Sequence, residues 1–135
     1  MDNLNSEQRR KTMAAVKSRN TTPELIVRRL LHRAGYRYRL HRKGLPGKPD
    51  IILPMFKSII FVHGCFWHQH LNCRRARRPK SNELYWERKL DRNVIRDAEN
   101  RIILEKLGWK VIIVWECETR DVERLSTRLF GLLER

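Results

Sequence analysis

Residues 50–62 have the sequence DIILPMFKSIIFV, which predicts two buried strands joined by a turn. The two apolar runs are short and rich in isoleucine, as buried strands are, and residues 54–57 separate them with a proline at their start. If the hairpin turns about its centre, Asp50 lies opposite Phe61 and within a side-chain length of His63. This hairpin is therefore the expected centre of a β-sheet.

The rest of the sequence predicts a single domain, residues 1–135, with an α/β fold. The predicted strands cover 36–40, 50–53, 58–62 and 109–115, and the predicted helices cover 6–18, 22–34, 83–107 and 122–132. This order indicates a mixed β-sheet of about four core strands flanked by helices. The first helix belongs to a basic N-terminal arm, residues 1–20, which is too polar all round to be a core helix.

Two helices show apolar stripes that predict which of their faces is buried. The stripe of the helix at 22–34 consists of Leu25, Ile26, Leu30 and Leu31, and that of the helix at 83–107 consists of Leu90, Val94, Ala98 and Ile102. Apolar residues at these spacings lie on one side of a helix, so we expect them to pack on the sheet.

The charge of the chain is strongly positive and unevenly distributed. Thirty lysines and arginines face fifteen acids, which gives a net charge of +15 and an isoelectric point near 10.7. Residues 1–80 carry nineteen basic residues and only four acids, whereas residues 81–135 carry eleven of each. Such a field attracts a polyanion, and nucleic acid is the leading candidate. Glu24 and Asp50, which are acids within the basic part, become candidates for chemistry.

No feature of the sequence indicates export or a membrane. The N-terminus lacks an apolar signal region, and no apolar run approaches the roughly 18 residues of a membrane helix. Three cysteines are an odd number for a disulfide framework. We therefore expect a cytoplasmic protein whose cysteines are free thiols or metal ligands.

Asp50 is the first candidate for a cation site. A carboxylate beside a histidine at the ends of two strands, within a basic field, can hold a divalent cation against phosphate. The alternative is that Asp50 is only a turn residue that follows Pro49, because Pro-Asp is a common pair in loops.

Residues 63–73, HGCFWHQHLNC, are rich in metal-binding residue types. Together with a later cysteine they offer the sulfur and nitrogen ligands of a closed structural zinc site. These ligands would be Cys65, His70, Cys73 and Cys117. The alternative is three buried free thiols. A closed site leaves His63 and His68 available for other work.

Aromatic and basic residues interleave around this segment. The aromatic candidates are Phe66, Trp67 and Trp86, and the basic candidates are Arg74, Arg75, Arg77 and Arg78. Aromatic side chains beside arginines suit stacking on bases or wedging between them, and the arginines suit phosphate contact. The alternatives are core packing for the aromatic residues and a solvated loop for the basic run.

Taken together, these features resemble the very-short-patch mismatch repair endonucleases of bacteria, a branch of the restriction-endonuclease-like fold. The resemblance rests on Met13, Pro23-Glu24, residues 45–50 (LPGKPD), residues 61–68 (FVHGCFWH), Trp86 and residues 107–117 (LGWKVIIVWEC). It covers almost the whole chain. The block at 63–68 is highly specific, because no general requirement of a fold would produce it.

The resemblance implies a particular reaction and setting. Enzymes of this family nick one strand of duplex DNA 5′ to the thymine of a T·G mismatch, which arises when 5-methylcytosine deaminates. They usually accompany a cytosine-5 DNA methyltransferase and repair machinery. The resemblance therefore implies a bacterial, cytoplasmic and nucleoid-associated monomer that binds mismatched double-stranded DNA and initiates very-short-patch repair.

The resemblance also implies roles for individual residues. Mg²⁺ would bind at Asp50 with help from the main-chain oxygen of Val62, and Zn²⁺ would bind the four ligands named above. Catalytic roles would fall on Asp50, Glu24, His63 and His68. In this scheme His68 accepts a proton from water and Glu24 orients a histidine. Met13 would join the aromatic and basic candidates in contacting DNA.

Two other functions remain open at this point. A related nicking or restriction endonuclease with a fixed sequence target could use the same residues without requiring a mismatch. A non-catalytic zinc DNA-binding module is the other alternative. It is disfavoured, because a protein that only binds DNA gains nothing from acids that face phosphate.

Overall fold

The computed structural model describes residues 19–134, which contain four strands and three α-helices. The strands are β1 (Arg39–Leu40), β2 (Ile51–Leu53), β3 (Ser58–His63) and β4 (Lys110–Trp115), and the helices are α1 (Thr22–Arg33), α2 (Glu83–Lys106) and α3 (Val122–Leu133). None of these helices is long and apolar enough to cross a bilayer. Met13 and nearly all of the predicted N-terminal arm lie outside the described residues.

The four strands form one mixed sheet in the order β1-β2-β3-β4. β2 is antiparallel to both β1 and β3, and β4 is parallel to β3. Ile51 pairs with Ile60 and Leu53 with Ser58, so the predicted register of the hairpin is confirmed. A parallel neighbour requires a long crossover, and α2 lies within that crossover. The predicted α/β fold with a mixed four-stranded sheet is confirmed as well.

Both faces of the sheet are covered, and the β2–β3 hairpin contributes to both cores. Ile51 and Ile60 pack on one face with apolar residues of α1 and α3. Ile52 and Ile59 pack on the other face with Leu104, near the C-terminal end of α2. Successive side chains of a strand point to opposite faces, so one hairpin serves both layers. Each of these fully buried side chains contributes about 1.5–3 kcal/mol to folding.

The buried side of α1 matches the predicted stripe in part, since Leu31 is buried and Leu30 packs against the core. Its buried residues are Glu24, Val27 and Leu31, whereas Leu25 is 42% exposed. These buried residues lie at positions i, i+3 and i+7 and therefore on one side of the helix. The prediction followed only apolar residues, but the stripe begins with a carboxylate. Thr21 caps the helix by accepting a hydrogen bond from the Glu24 backbone N–H.

α2 also turns a partly polar stripe towards the rest of the molecule. Leu90 and Leu104 are buried, and Asn93, Asp97 and Asn100 are half-buried between them. All five lie on one side of the helix, at spacings of three and four residues. The predicted stripe was therefore wrong apart from its first member. Its exposed members are Val94, Ala98 and Ile102.

The strand predicted at 36–40 is shorter in the structure. Only Arg39–Leu40 pairs with β2. Tyr36 and Tyr38 pack against the core instead, and the ring of Tyr36 stacks on Phe130 of α3 with 5.5 Å between centroids. The alternating pattern of this segment therefore marks buried aromatic side chains, and most of it has no strand partner.

Candidate active site

A cleft of about 670 Å³ opens between the loop 41–50, strand β3 and helix α2. Four basic residues line it: Arg19, Arg42, Lys43 and Lys48. The acids and histidines that line it are Asp50, His41, His63, His68 and Asp97. A basic cleft with carboxylates and imidazoles inside it suits a phosphodiester, because the cations attract the phosphate and the other groups can exchange protons with water.

The loop that forms one wall of the cleft is held against α2 at Gly47. A Cβ atom at this position would lie 3.0 Å from Nδ2 of Asn100 and 3.2 Å from the ring of Phe61. Gly47 also has a φ of 78°, in the region that favours glycine. The close approach to α2 therefore needs a glycine here.

Asp50 lies at the start of β2, beside the main chain of β3. Its Oδ2 accepts a hydrogen bond of 2.7 Å from the backbone N–H of Val62, which also lines the cleft. Burial raises the pKa of Asp50 to about 7; the Val62 hydrogen bond acts in the opposite direction, and the nearby Glu24 carboxylate raises it further. A divalent cation would stabilise the ionised form of such a carboxyl group. The oxygen donors present here fit Mg²⁺.

Glu24 approaches the same region from the first turn of α1. It is only 1% exposed, and its Oε2 lies 2.9 Å from Nη1 of Arg28 and 3.1 Å from Nε2 of His41. Its Oε1 accepts a hydrogen bond of 3.2 Å from the backbone N–H of Asn20. The ligand atoms of Glu24, His41 and Asp50 all lie within 4.8 Å of one another. The histidine that contacts Glu24 is thus His41.

His63 and His68 stack on each other, with 3.7 Å between ring centroids and 6° between ring planes. Nδ1 of His68 lies 2.6 Å from Oδ2 of Asp97 on α2, so the carboxylate fixes the orientation of this ring. His63 is buried, and its Nδ1 has no hydrogen-bond partner in the part of the chain that the structure describes. Burial lowers the pKa of His63 to about 3, and nearby His68 acts in the same direction. His63 is therefore neutral at pH 7.

Sequence reasoning gave no individual role to the four basic residues that line this cleft, and it also missed His41 and Asp97. His41 follows the two-residue strand β1 and has a left-handed backbone, with a φ of 48°. No local sequence pattern predicts this conformation. Asp97 lies on the half-buried stripe of α2 between Leu90 and Leu104. A signal for Asp97 was present, because a carboxylate at core spacing between two leucines indicates a polar contact on the inner face.

The four residues predicted to bind zinc lie together where the loop after β3 meets the end of β4. Nδ1 of His70 lies 3.6 Å from Sγ of Cys65 and 3.4 Å from Sγ of Cys117. The ligand atoms of these three residues and Cys73 lie within 4.8 Å of one another. The ring of His70 also stacks on Trp115, with 4.2 Å between centroids. Three thiols and one imidazole are donors that fit Zn²⁺ and do not suit Mg²⁺.

The three predicted DNA-contacting aromatic residues form one cluster. The ring centroids of Phe66, Trp67 and Trp86 are 5.1 to 6.0 Å apart, and all three side chains are half-buried. Nδ2 of Asn93 donates a 3.0 Å hydrogen bond to the carbonyl oxygen of Trp67, which ties the loop to α2. The cluster is therefore held from two elements while part of its surface remains accessible.

The four predicted phosphate-contacting arginines differ in their surroundings. Arg74 and Arg77 are exposed. Arg78 lies 2.6 Å from a carboxylate oxygen of Asp91, and Arg75 lies 3.9 Å from one of Glu116. Arg74 and Arg77 are thus the more available for an external anion. Arg75 and Arg78 also contact carboxylates and so help to hold the loop in place.

A mixed four-stranded sheet flanked by helices, with a basic cleft beside its central hairpin, is consistent with the restriction-endonuclease-like α/β fold. The chain belongs to the Vsr family, since a family model described as DNA mismatch endonuclease Vsr matches residues 1–75. Membership of a family of endonucleases excludes the non-catalytic DNA-binding module. The protein is thus an endonuclease that acts on DNA.

Individual relatives carry two kinds of name. The chain is 49% identical over 133 residues to the type II nicking enzyme V.XorIIP of Xanthomonas oryzae pv. oryzae, covering 98% of this chain and 97% of that protein. It is 43% identical over 132 residues to the type II nicking enzyme V.NmeAIP of Neisseria meningitidis, covering 98% and 94%. It is 39% identical over 118 residues to the DNA mismatch endonuclease Vsr of Escherichia coli, covering 87% and 75%.

Proposed function

We propose that this Vsr-family endonuclease nicks one strand of duplex DNA 5′ to the thymine of a T·G mismatch and so initiates very-short-patch repair of deaminated 5-methylcytosine. The observation that carries the proposal is that the cleft with Asp50 and the His68–Asp97 pair adjoins the loop bearing Phe66 and Trp67. The E. coli relative, named a DNA mismatch endonuclease, supports a mismatch in DNA as the substrate.

In the proposed mechanism, Asp50 would hold Mg²⁺ with help from the main-chain oxygen of Val62, and Glu24 lies beside Asp50. When bound, the ion would compensate charge on the phosphoryl oxygens. His68 takes the proton from the attacking water at Nε2, because its Nδ1 is occupied by Asp97. The water oxygen bonds to phosphorus as the P–O3′ bond breaks, and the departing 3′ oxygen takes a proton from solvent. One such site in one monomer cuts one strand, so the product is a nick.

The neutral His63 supports this reaction by stacking on His68. The contact keeps the ring of His68 in one plane, which matters because a general base must be aimed at the water it deprotonates. As a neutral group, His63 can offer a ring nitrogen to the substrate without placing a further charge beside the cation site. The basic residues Arg19, Arg42, Lys43 and Lys48 would hold the DNA backbone across the cleft.

Mismatch selection is assigned to Phe66, Trp67 and Trp86 as a wedge. Opening a base step costs a few kcal/mol. A T·G wobble stacks less well than a Watson–Crick pair, so this cost is lower beside the mismatch. A structural Zn²⁺ on the ligand set that includes Cys65 and His70 would hold the wedge rigidly. Met13, Arg74, Arg75, Arg77 and Arg78 complete the proposed DNA contacts.

The test compares duplexes that differ only at one T·G or T·A pair, in the presence of Mg²⁺. We expect strand-specific nicking 5′ to the thymine of T·G and little cutting of T·A. Asp50→Ala should abolish nicking while DNA affinity stays the same or increases, because the variant loses the cation site and a carboxylate that repels phosphate. Glu123→Ala, on the exposed surface of α3, is the matched control. Normal turnover by Asp50→Ala would refute the mechanism.

A second candidate is nicking at a fixed sequence without a mismatch requirement. It is favoured by the type II nicking enzyme names of the relatives at 49% and 43% identity. Equal cutting of the T·G and T·A duplexes within one sequence context would select it. We propose an association with a cytosine-5 methyltransferase, with repair partners and with the nucleoid only as part of the mismatch proposal. These associations follow only if the enzyme prefers T·G.

A further inference from the structure

We infer that His41 is a nitrogen ligand of the divalent cation in the cleft, alongside Asp50 and Glu24, so that the site accepts first-row transition ions such as Mn²⁺ and Co²⁺ as well as Mg²⁺. The inference deepens the proposed function and rests on a cation binding at Asp50.

The backbone places His41 beside Asp50. Its φ of 48° lies in the left-handed region, which residues with a side chain rarely occupy. Its backbone N–H donates a 3.2 Å hydrogen bond to the carbonyl oxygen of Asp50. The two residues are therefore held side by side at the end of the β1–β2 pair.

The distances match those between ligands of one ion. Nε2 of His41 lies 3.1 Å from Oε2 of Glu24. Two atoms that each lie about 2.1 Å from a cation at right angles are about 3.0 Å apart, and atoms on opposite sides are about 4.2 Å apart. The ligand atoms of His41, Glu24 and Asp50 all lie within 4.8 Å of one another. One octahedral ion can therefore contact all three after small shifts.

The charges around Glu24 favour a neutral third ligand. Nη1 of Arg28 lies 2.9 Å from Oε2 of Glu24, the same oxygen that His41 approaches. Two carboxylates and one guanidinium leave a single negative charge, so a bound divalent ion makes the site positive. A neutral imidazole preserves that positive charge for the phosphate, whereas a third carboxylate would cancel it.

A nitrogen ligand changes which metal the site prefers. Carboxylate sites suit Mg²⁺, while imidazole suits ions later in the first transition row. Replacement of His41 should therefore weaken Co²⁺ and Mn²⁺ binding more than Mg²⁺ binding. This selectivity concerns the binding of the ion alone, so it can be measured without substrate.

The experiment uses His41→Asn, because asparagine tolerates the left-handed backbone. The matched control is His32→Asn, an exposed histidine in the last turn of α1. The full-length protein is first given about one equivalent of Zn²⁺ to fill the cysteine site. It is then titrated with Mn²⁺ and followed by electron paramagnetic resonance, with pulsed measurements for nitrogen bound to the ion and with Mg²⁺ as competitor.

We expect directly bound nitrogen in the parent and in His32→Asn. His41→Asn should lose that signal and bind Mn²⁺ about 10–100-fold more weakly, with a smaller loss for Mg²⁺. A nitrogen signal that persists in His41→Asn, or an equal loss for both ions, would overturn the inference.

Asp50→Ala separates this inference from the proposed function. If Asp50→Ala binds Mn²⁺ like the parent, no cation binds at Asp50 and the proposed mechanism fails with the inference. If Asp50→Ala abolishes binding and His41→Asn leaves it unchanged, only the role of His41 is wrong. Thermal unfolding of each variant establishes that a loss of binding is not a loss of fold.

Discussion

Replacing Asp97 by asparagine isolates the proposed orientation of the general base. The change keeps the size of the side chain and removes the charge that lies 2.6 Å from Nδ1 of His68. Hydrogen bonds to charged groups contribute about 1.5–3 kcal/mol. The two side chains are 29% and 27% exposed, so solvent reduces this contribution to the lower part of that range. A loss of about 1.5–2 kcal/mol in the transition state lowers kcat about 10- to 30-fold.

The assay is single-turnover nicking of a labelled T·G duplex, with DNA affinity measured separately by fluorescence anisotropy. Asp97→Asn should lower the rate of nicking without weakening DNA binding, because Asp97 acts through His68. Glu105→Gln is the control, since it removes one charge from an exposed position of the same helix, where Glu105 pairs with Arg101. A parental nicking rate in Asp97→Asn would refute the role of Asp97. So would a loss of rate explained by a lower melting temperature.

Three further predictions concern the cysteine site, the wedge and the buried histidine. Cys117→Ser should lower zinc content and melting temperature together, because a closed site adds its binding free energy to folding; retained zinc with unchanged melting would contradict this. Trp67→Ala should reduce nicking of T·G duplex much more than it reduces the salt-sensitive binding of matched duplex, and zinc content should not change. If the variant instead unfolds and keeps its residual T·G preference, Trp67 is a core residue and the wedge assignment is wrong. His63 has a pKa of about 3 in the folded protein against 6.5 when unfolded, so its neutral form favours folding above pH 6.5 and this contribution is lost as the pH falls towards 3. The measurement is urea unfolding of the parent and of His63→Gln at two pH values between 6.5 and 3. The free energy of unfolding of His63→Gln should rise relative to that of the parent by about 1.4 kcal/mol for each pH unit of acidification. A difference that does not change with pH would count against a buried neutral His63.

The hairpin and the cysteine cluster were accessible from sequence because each has a local signal. Successive isoleucines around a proline-containing turn leave few alternatives to a buried strand pair, and the symmetric turn fixed the register of Ile51 against Ile60. The cysteines and histidines of residues 63–73 are close in sequence, and only Cys117 had to be brought from another strand. Chemistry and spacing therefore indicate a metal site with these three cysteines, whereas the choice of His70 over His68 depends on the folded geometry.

The inner faces of the helices were not accessible in the same way. An apolar stripe identifies the inner face of a helix only where the buried residues are apolar, yet the inward stripe of α1 begins with Glu24 and that of α2 contains Asp97. Both are carboxylates with specific partners, which is the condition under which a polar side chain is buried at low cost. The predicted stripes therefore fail at the positions where the helices supply polar groups to the cleft. His41 was missed for a different reason, since its position depends on a left-handed backbone and a pairing with Asp50.

The order of residues along the loop 63–70 gives the proposed wedge a direct mechanical connection to the proposed base. His63 and His68 stand on either side of Phe66 and Trp67, and the backbone N–H of His68 donates a 3.1 Å hydrogen bond to the carbonyl oxygen of Gly64. If the proposed Zn²⁺ binds Cys65 and His70 within this short turn, a shift of the backbone that carries the aromatic rings would also shift His68. Insertion of the rings beside a mismatch would therefore set the position of His68 against Asp97. A duplex that resists insertion would leave His68 misaligned as the general base. Selectivity would then appear in the rate of nicking more than in DNA affinity, because misalignment by about 1 Å costs on the order of 100-fold in rate.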